Sequence, residues 1–179
     1  MLSGPFLSKF VLLEPEHAHF THHRLRCAQS AERACHLSVV YEVDDHDEDS
    51  LVLASKEGYL ETVKFLMKRG TNIHTKGDQA LKLASMGGHL EVVKFLIGMG
   101  ADVHAGIDDK ALFCASDNGH LEVVKFLVQS GADVHAWNDN ALIFASKNGH
   151  LEVVKYLVSQ GADIHARDGE ALRSASGGG

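Results

Sequence analysis

The chain is poor in features that mark several other classes of protein. It has two prolines and three cysteines in 179 residues, and Cys27, Cys35 and Cys114 show no paired spacing. A disulfide-stabilised fold is therefore not expected, and the cysteine usage fits a reducing compartment. Positive charge is not in excess either, because the formal net charge is −7. This balance disfavours binding to phosphate backbones, so we expect no nucleic-acid partner.

Long hydrophobic runs are also absent. No stretch approaches the roughly 18 apolar residues that a membrane span needs. Near the N-terminus Lys9 interrupts a short apolar stretch, and acidic residues follow where a signal-peptide cleavage site would lie. We therefore expect an intracellular, soluble protein with no membrane partner.

The chain does contain an internal repeat. A nine-residue phrase occurs four times, as GYLETVKFL from Gly58, GHLEVVKFL from Gly88 and Gly119, and GHLEVVKYL from Gly149. The spacings are 30, 31 and 30 residues. A fixed period of this size is typical of a solenoid, in which each unit buries its apolar face against its neighbours.

One repeat predicts two helices. The first spans 140–148, where apolar residues are closely spaced, and Gly149 then ends it in the left-handed conformation that glycine adopts most easily. The second spans 150–160 and ends at Gly161. Its polar residues form one narrow stripe, and such a wide apolar face indicates a helix flanked by neighbours. The chain then continues into an extended segment before the next first helix.

This unit resembles the ankyrin repeat, whose usual period is 33 residues and whose first helix starts with T-P-L-H-x-A. The matching elements are GHLEVVKFL, GADVHA and the Ala-Ser pairs at 84/85, 115/116, 145/146 and 175/176. The resemblance implies an all-α ankyrin solenoid over 42–179, with about four full repeats plus a C-terminal half repeat. Residues 1–41 form a poorly specified N-terminal segment, for which a degenerate cap is one interpretation. DQALKLAS and its equivalents replace the usual start, and the missing residues come from the connecting loop, called the finger in this family.

Repeats with this short period look most like those of ankyrin proteins from giant DNA viruses of amoebae. The role implied for such families is protein binding, directed at host factors, which would place the chain in the host-cell cytoplasm. The alternative is a degenerate or truncated family copy without a selective partner. Since the usual motif histidine is missing, we also expect the stacking to rely more on apolar packing.

The candidate binding residues lie where the repeats differ, because shared positions are used in stacking. In ankyrin proteins the equivalent finger and first-helix positions line the concave face that contacts the partner. The matching positions are Lys76, Ile107, Lys110, Trp137, Asn138, Asn140, Lys147 and Arg167. Trp137, the single tryptophan, is the strongest candidate because tryptophan is enriched in interface hot spots. The alternative for Trp137 is simple packing over the adjacent finger.

Histidine is abundant, and two sets recur once per repeat: His74, His104, His135 and His165, and His89, His120 and His150. Equivalent residues of stacked repeats lie about 10 Å apart, whereas zinc ligands lie ~2 Å from one ion. We therefore expect these histidines to form structural hydrogen bonds. An irregular N-terminal group keeps a zinc-dependent module open as an alternative, although no recognised ligand spacing occurs: His17, His19, His22, His23, Cys27, Cys35 and His36.

Signals for catalysis are missing. The sequence has no phosphate-binding loop, dinucleotide fingerprint or nucleophile elbow. Cys114 aligns with Leu83 and Phe144, which predicts a buried apolar role. The roughly 40 residues outside the repeats are too few for a catalytic domain. We therefore expect no enzymatic activity, no cofactor, no metal and no small-molecule substrate.

The C-terminal residues repeat a first helix, EALRSAS, that no second helix follows. Solenoids normally end in a repeat with a polar outer face. Two interpretations stay open: a shortened array, or an open end that serves as a docking surface.

Overall fold

The repeats fold into two-helix hairpins, as the period predicts. The computed structural model describes residues 47–105 and 109–176, and every regular element in these ranges is an α-helix. In chain order the helices are α1 (Asp47–Glu57), α2 (Leu60–Lys68), α3 (Gln79–Met86), α4 (Leu90–Gly98), α5 (Lys110–Asp117), α6 (Leu121–Gln129), α7 (Ala136–Lys147), α8 (Leu151–Ser159) and α9 (Ala166–Ser176).

The helices stack in two rows. The first-helix row contains α1, α3, α5, α7 and α9, each packed on the next, and the second-helix row contains α2, α4, α6 and α8. Four of the first helices, α1, α3, α5 and α7, also pack on the second helix that follows them. In the described ranges no helix is long and apolar enough to cross a membrane. The arrangement confirms the predicted all-α solenoid.

The core consists of the same residue types at the same position in successive repeats. Val93, Val124 and Leu127 of the second helices are fully buried, and so are Ala84 and Ala115 of the first helices. The alanines leave room for the second helix to approach closely. Burying each valine or leucine contributes roughly 1.5–3 kcal/mol, so repetition of these positions holds the stack together.

The outward stripe of each second helix carries a Glu–Lys pair. Glu122 and Lys125 lie 2.8 Å apart at i, i+3, and α2, α4 and α8 carry equivalent pairs. These side chains are exposed, so each pair contributes only a few tenths of a kcal/mol. This agrees with the local supporting role that the stripe predicts.

The fingers are compact turns and not the extended segments predicted from the sequence. Asp133 Oδ1 accepts a hydrogen bond from the backbone N–H of His135 at 2.9 Å, which closes an Asx turn, and the other three fingers have the same bond. Trp137, Asn138 and Asp139 then adopt the left-handed conformation, with φ of 54°, 57° and 57°. Regular helical geometry in α7 therefore starts only at Asn140. Together the two turns reverse the chain within a few residues, which accommodates the short period.

Candidate protein-binding surface

A buried aspartate fixes each finger to the next one. Asp109 is 6% exposed, and its Oδ2 accepts a hydrogen bond from the backbone N–H of Asp133 at 2.6 Å. Its Oδ1 also lies 3.1 Å from Nδ1 of His104 in the same finger. Asp78 and Asp139 make the same two kinds of contact, with Asp102 and Asp163 as the donors of the backbone bond. A buried carboxylate is tolerated only when it is hydrogen bonded, so these contacts set the spacing of the fingers.

A histidine before each second helix fixes the helices of neighbouring repeats. His120 Nε2 donates to the Met86 carbonyl oxygen at 2.9 Å, and His89 and His150 donate equivalently to Lys56 and Asp117. The His120 ring lies directly on a glycine of the earlier repeat, since a Cβ built on Gly88 would be 2.5 Å from that ring. The position has to be glycine for the ring to fit.

These contacts decide two expectations about the histidines. The predicted structural hydrogen bonding is confirmed for both recurring sets, although the His165 ring makes no such bond among the described residues. The expectation that stacking would rely more on apolar packing is corrected, because histidines and aspartates at other positions join adjacent repeats. No three potential metal ligands meet in the described ranges. The N-terminal histidine and cysteine group lies outside them.

Three of the predicted binding residues occupy one equivalent position. Lys76, Trp137 and Arg167 are each the first left-handed residue of a finger, with φ of 52°, 54° and 48°, and all three side chains are exposed. A non-glycine residue in this conformation costs on the order of 1 kcal/mol. The surrounding hydrogen bonds must offset that cost, so the finger backbone holds these side chains in a fixed direction.

Trp137 contacts the following finger and still exposes more than half of its surface. The Arg167 guanidinium lies 5.7 Å from the Trp137 ring centroid, and Arg167 Nη2 donates to the Trp137 carbonyl oxygen at 3.1 Å. Such a cation–π contact contributes about 0.5–1 kcal/mol at an exposed site. The side chain is nevertheless 55% exposed. Packing over the adjacent finger is therefore observed, while a binding role stays a prediction.

The predicted lysines differ in their contacts. Lys76 Nζ donates to Asp49 Oδ1 at 2.6 Å, and this hydrogen bond, with the attraction of the carboxylate, raises the pKa of Lys76. The Lys147 ammonium lies 5.4 Å from the ring centroid of Phe144 in the same helix. Lys110 is exposed at the start of α5. All three lysines stay accessible to a partner.

The structure excludes one predicted residue from this surface and does not describe another. Asn140 is 3% exposed, because the left-handed turn ends at Asp139 and Asn140 becomes the first regular residue of the helix, facing the interior. Ile107 lies outside the described residues. Sequence reasoning also missed Leu151 and Leu172, which are 60% and 52% exposed near the C-terminal end of the stack. The sequence signal that could have found them is the C-terminal first helix, EALRSAS, which no second helix follows in the sequence.

Two-helix units of 30 or 31 residues, each joined only to its neighbours, define a helical repeat solenoid. The family model described as Ankyrin repeats (3 copies) matches residues 25–107 and residues 103–168. These matches cover more than half of the chain, which therefore belongs to the ankyrin-repeat family. Ankyrin repeats are non-enzymatic modules that generally mediate protein–protein interaction. A comparison with curated proteins found no match.

Proposed function

We propose that this chain is a protein-binding module whose partner contacts the finger tips and the ends of the first helices. Trp137 carries the proposal, because a large aromatic side chain that is 55% exposed on an ordered finger has the properties of a hot-spot residue. The other accessible members of the surface are Lys76, Lys110, Asn138, Lys147 and Arg167. Ile107 stays a member on the sequence pattern alone.

The surroundings of Trp137 favour tight binding, because they restrict the residue before a partner arrives. Its backbone is held in a left-handed turn, and Arg167 covers one side of the ring. Asp139, two residues later, is bonded both to its own finger and to the next one. A residue that is already ordered loses less conformational entropy on binding.

The charge of the surface indicates the kind of partner. Lys76 pairs with Asp49, and Arg167 lies 3.9 Å from Glu170, whereas Lys110 and Lys147 are exposed cations beside the same surface. These two lysines favour a partner that combines acidic groups with an apolar pocket for Trp137. Complementary charge of this kind mainly increases the rate of association and the specificity.

We extend the proposal to a partner from a host cell, since the short-period repeats are similar to those of giant-virus ankyrin proteins. The chain would then act in the host cytoplasm as a non-catalytic binder, without a cofactor or a small-molecule substrate. Family membership supports the binding role, because ankyrin repeats generally mediate protein–protein interaction; the short repeat period is the support for a host partner.

Quantitative affinity capture from an amoebal lysate tests the proposal. The wild-type chain is compared with Trp137→Ala/Lys147→Ala, which removes the aromatic ring and one exposed cation from α7. Glu122→Ala/Lys125→Ala is the matched control, since it removes an exposed charged pair from the second-helix row. Circular dichroism should show that all three chains are folded to the same extent.

We expect one protein to be enriched by the wild type and by the control, and to be lost with the α7 variant. If the α7 variant retains every protein that the wild type enriches, this surface is not the binding site. If no protein is enriched selectively, the degenerate copy without a partner becomes the better account.

A further inference from the structure

Two phenylalanines contact each other on the first-helix row. The rings of Phe113 in α5 and Phe144 in α7 pack edge to face, with their centroids 5.0 Å apart and an interplanar angle of 81°. Both side chains are half-buried. Equivalent positions in α3 carry Lys82 and Leu83. The stack therefore does not require aromatic residues at these two positions, which leaves the ring pair free for another role.

Two lysines lie on the same helix faces as the rings. Lys110 precedes Phe113 by three residues in α5, and Lys147 follows Phe144 by three residues in α7. Residues spaced i, i+3 are neighbours on the surface of a helix. The Lys147 ammonium lies 5.4 Å from the Phe144 ring centroid, and both lysines are exposed. Each ring therefore has a cation beside it.

Lys82 of α3 extends this set to the preceding repeat. It occupies the position in its helix that Phe113 occupies in α5. Burial raises the pKa of the Cys114 thiol, and the charges of Lys82 and Lys110 act against that rise. Since the effect of a charge weakens with distance, both ammonium groups lie near Cys114, the residue that follows Phe113.

These three lysines differ from those of the second-helix row. There, one lysine of each helix pairs with a glutamate one turn earlier, as Lys94 does with Glu91 at 2.8 Å. In the described ranges no carboxylate lies within 4.0 Å of the ammonium group of Lys82, Lys110 or Lys147. The first-helix row therefore presents cations that the chain itself does not neutralise.

The chemistry of this surface indicates an acidic partner segment that carries an apolar side chain. Cations without a partner favour carboxylates, and the accessible parts of two aromatic rings favour an apolar side chain. Packed helices lie about 10 Å apart, and an extended peptide advances about 3.3 Å per residue. A segment that crosses from α3 to α7 therefore needs about six or seven residues, with carboxylates towards both ends and an apolar residue in the middle.

A nucleic-acid strand fits the same surface less well. It would bring one negative charge per nucleotide to a chain whose net charge is −7. Asp117 adds a carboxylate at the end of α5, where its Oδ1 accepts a hydrogen bond from Asn148 at 2.8 Å. Bases bind such surfaces by stacking on aromatic rings, but Lys147 lies over the Phe144 ring. The observations therefore favour a peptide.

We propose that the first-helix face formed by Lys82, Lys110, Phe113, Phe144 and Lys147 binds an acidic, extended segment of a partner protein. One apolar side chain of the segment packs against the two rings, and its carboxylates contact the lysines on either side. This inference rests on the proposed function. It specifies the chemistry of the partner, and it adds Lys82 and the two phenylalanines to the surface that the partner contacts.

The probe is a fluorescein-labelled peptide, Glu-Glu-Ser-Leu-Ser-Glu-Glu. Its binding to the full chain is followed by fluorescence anisotropy in a buffer of low ionic strength, because salt screens exposed charges. One control peptide has glutamine in place of every glutamate, and a second has serine in place of the leucine. Both carry the same label. We expect the first control not to bind and the second to bind more weakly than the probe.

Three protein variants test the face. Lys82→Glu reverses one of its charges, and Lys94→Glu makes the same change in net charge on the second-helix row. Phe113→Val removes a ring and introduces the residue that α1 carries at the equivalent position, Val52. We expect Lys82→Glu to weaken binding about ten-fold or more and Lys94→Glu to change it less than about two-fold. Phe113→Val should remove the preference for leucine over serine. Circular dichroism checks that each variant is folded.

The proposal is overturned if the probe does not bind, if the glutamine peptide binds as well as the probe, or if the two lysine reversals weaken binding equally. A single-stranded oligothymidylate that binds more tightly than the probe would identify a nucleic-acid surface and would also overturn it. Affinity capture with Lys82→Glu separates this failure from that of the proposed function. A protein that is lost with Trp137→Ala/Lys147→Ala but retained by Lys82→Glu would support the proposed function and reject the acidic segment.

Discussion

Replacing Gly119 by alanine should destabilise the fold more than the same replacement at Gly149. The two glycines lie in identical local sequences, NGHLEVVK, and have nearly the same φ, 76° and 74°. Their contacts with the following repeat differ. A Cβ on Gly119 would lie 2.5 Å from the His150 ring, whereas a Cβ on Gly149 would meet nothing within 4 Å.

The expected difference follows from two costs. Alanine at this positive φ costs about 1–2 kcal/mol at either position. At Gly119 the His150 ring must also move. Overpacking of this kind costs about 1–3 kcal/mol, and losing the bond from His150 to the Asp117 carbonyl would account for about 1 kcal/mol of it. We therefore expect Gly119→Ala to lower the free energy of unfolding by about 1–3 kcal/mol more than Gly149→Ala does.

Equilibrium urea unfolding, followed by circular dichroism at 222 nm, measures both values. Terminal repeats can unfold separately, which would hide part of the cost at Gly149. The His150→Ala background avoids this difficulty, because removing the ring should reduce the cost of Gly119→Ala to that of the backbone conformation alone. Equal costs of Gly119→Ala with and without the His150 ring would refute the proposed contact.

Three further predictions follow from buried groups and from the open end. The Ser116 hydroxyl is buried without a hydrogen-bond partner among the described residues, so Ser116→Ala should raise the free energy of unfolding by about 0.5–1 kcal/mol. A variant less stable than the wild type in urea unfolding would contradict this. Burial raises the pKa of the Cys114 thiol. The stability that the buried neutral thiol contributes is therefore fully present below the unfolded-state pKa of about 8.5, and it is lost as the pH rises through the higher folded-state pKa. Stability should consequently fall more between pH 8 and pH 10 in the wild type than in Cys114→Ala, and parallel curves would exclude this effect. In the isolated monomer, amide hydrogens after Asp168 should exchange much faster than those of Leu90–Leu127 in a mass-spectrometric measurement, and equal protection would show that the open end is not frayed.

The helices could be predicted from the sequence because their signals are local. The predicted second helix over 150–160 agrees with α8, and Gly149 ends the preceding helix in the predicted left-handed conformation. The compact fingers could not be predicted in this way. Trp137 and Asn138 adopt a left-handed backbone that contacts between neighbouring fingers stabilise, and local preference gives no signal of it.

The candidate surface was predictable only in part. Variation between repeats selected Trp137 and Arg167, and the structure brings these two side chains into contact. The same variation selected Asn140, which is buried. Exposure in a repeat depends on where a turn ends and a helix begins, and a shift of one residue turns a side chain from solvent to core. The packing of histidine rings on glycines of the preceding repeat depends on the distance between repeats, which the period alone does not provide.

The stacking histidines have a consequence for how the binding surface can change. Their acceptors are the main-chain oxygens of Lys56, Met86 and Asp117, three residues of unrelated chemistry at one equivalent position. The side chain there takes no part in that bond, so natural variation, or a randomised library, can alter it while the architecture is retained. The proposed binding surface can therefore diversify one repeat at a time, because the acceptor of each of these histidine bonds is a backbone oxygen.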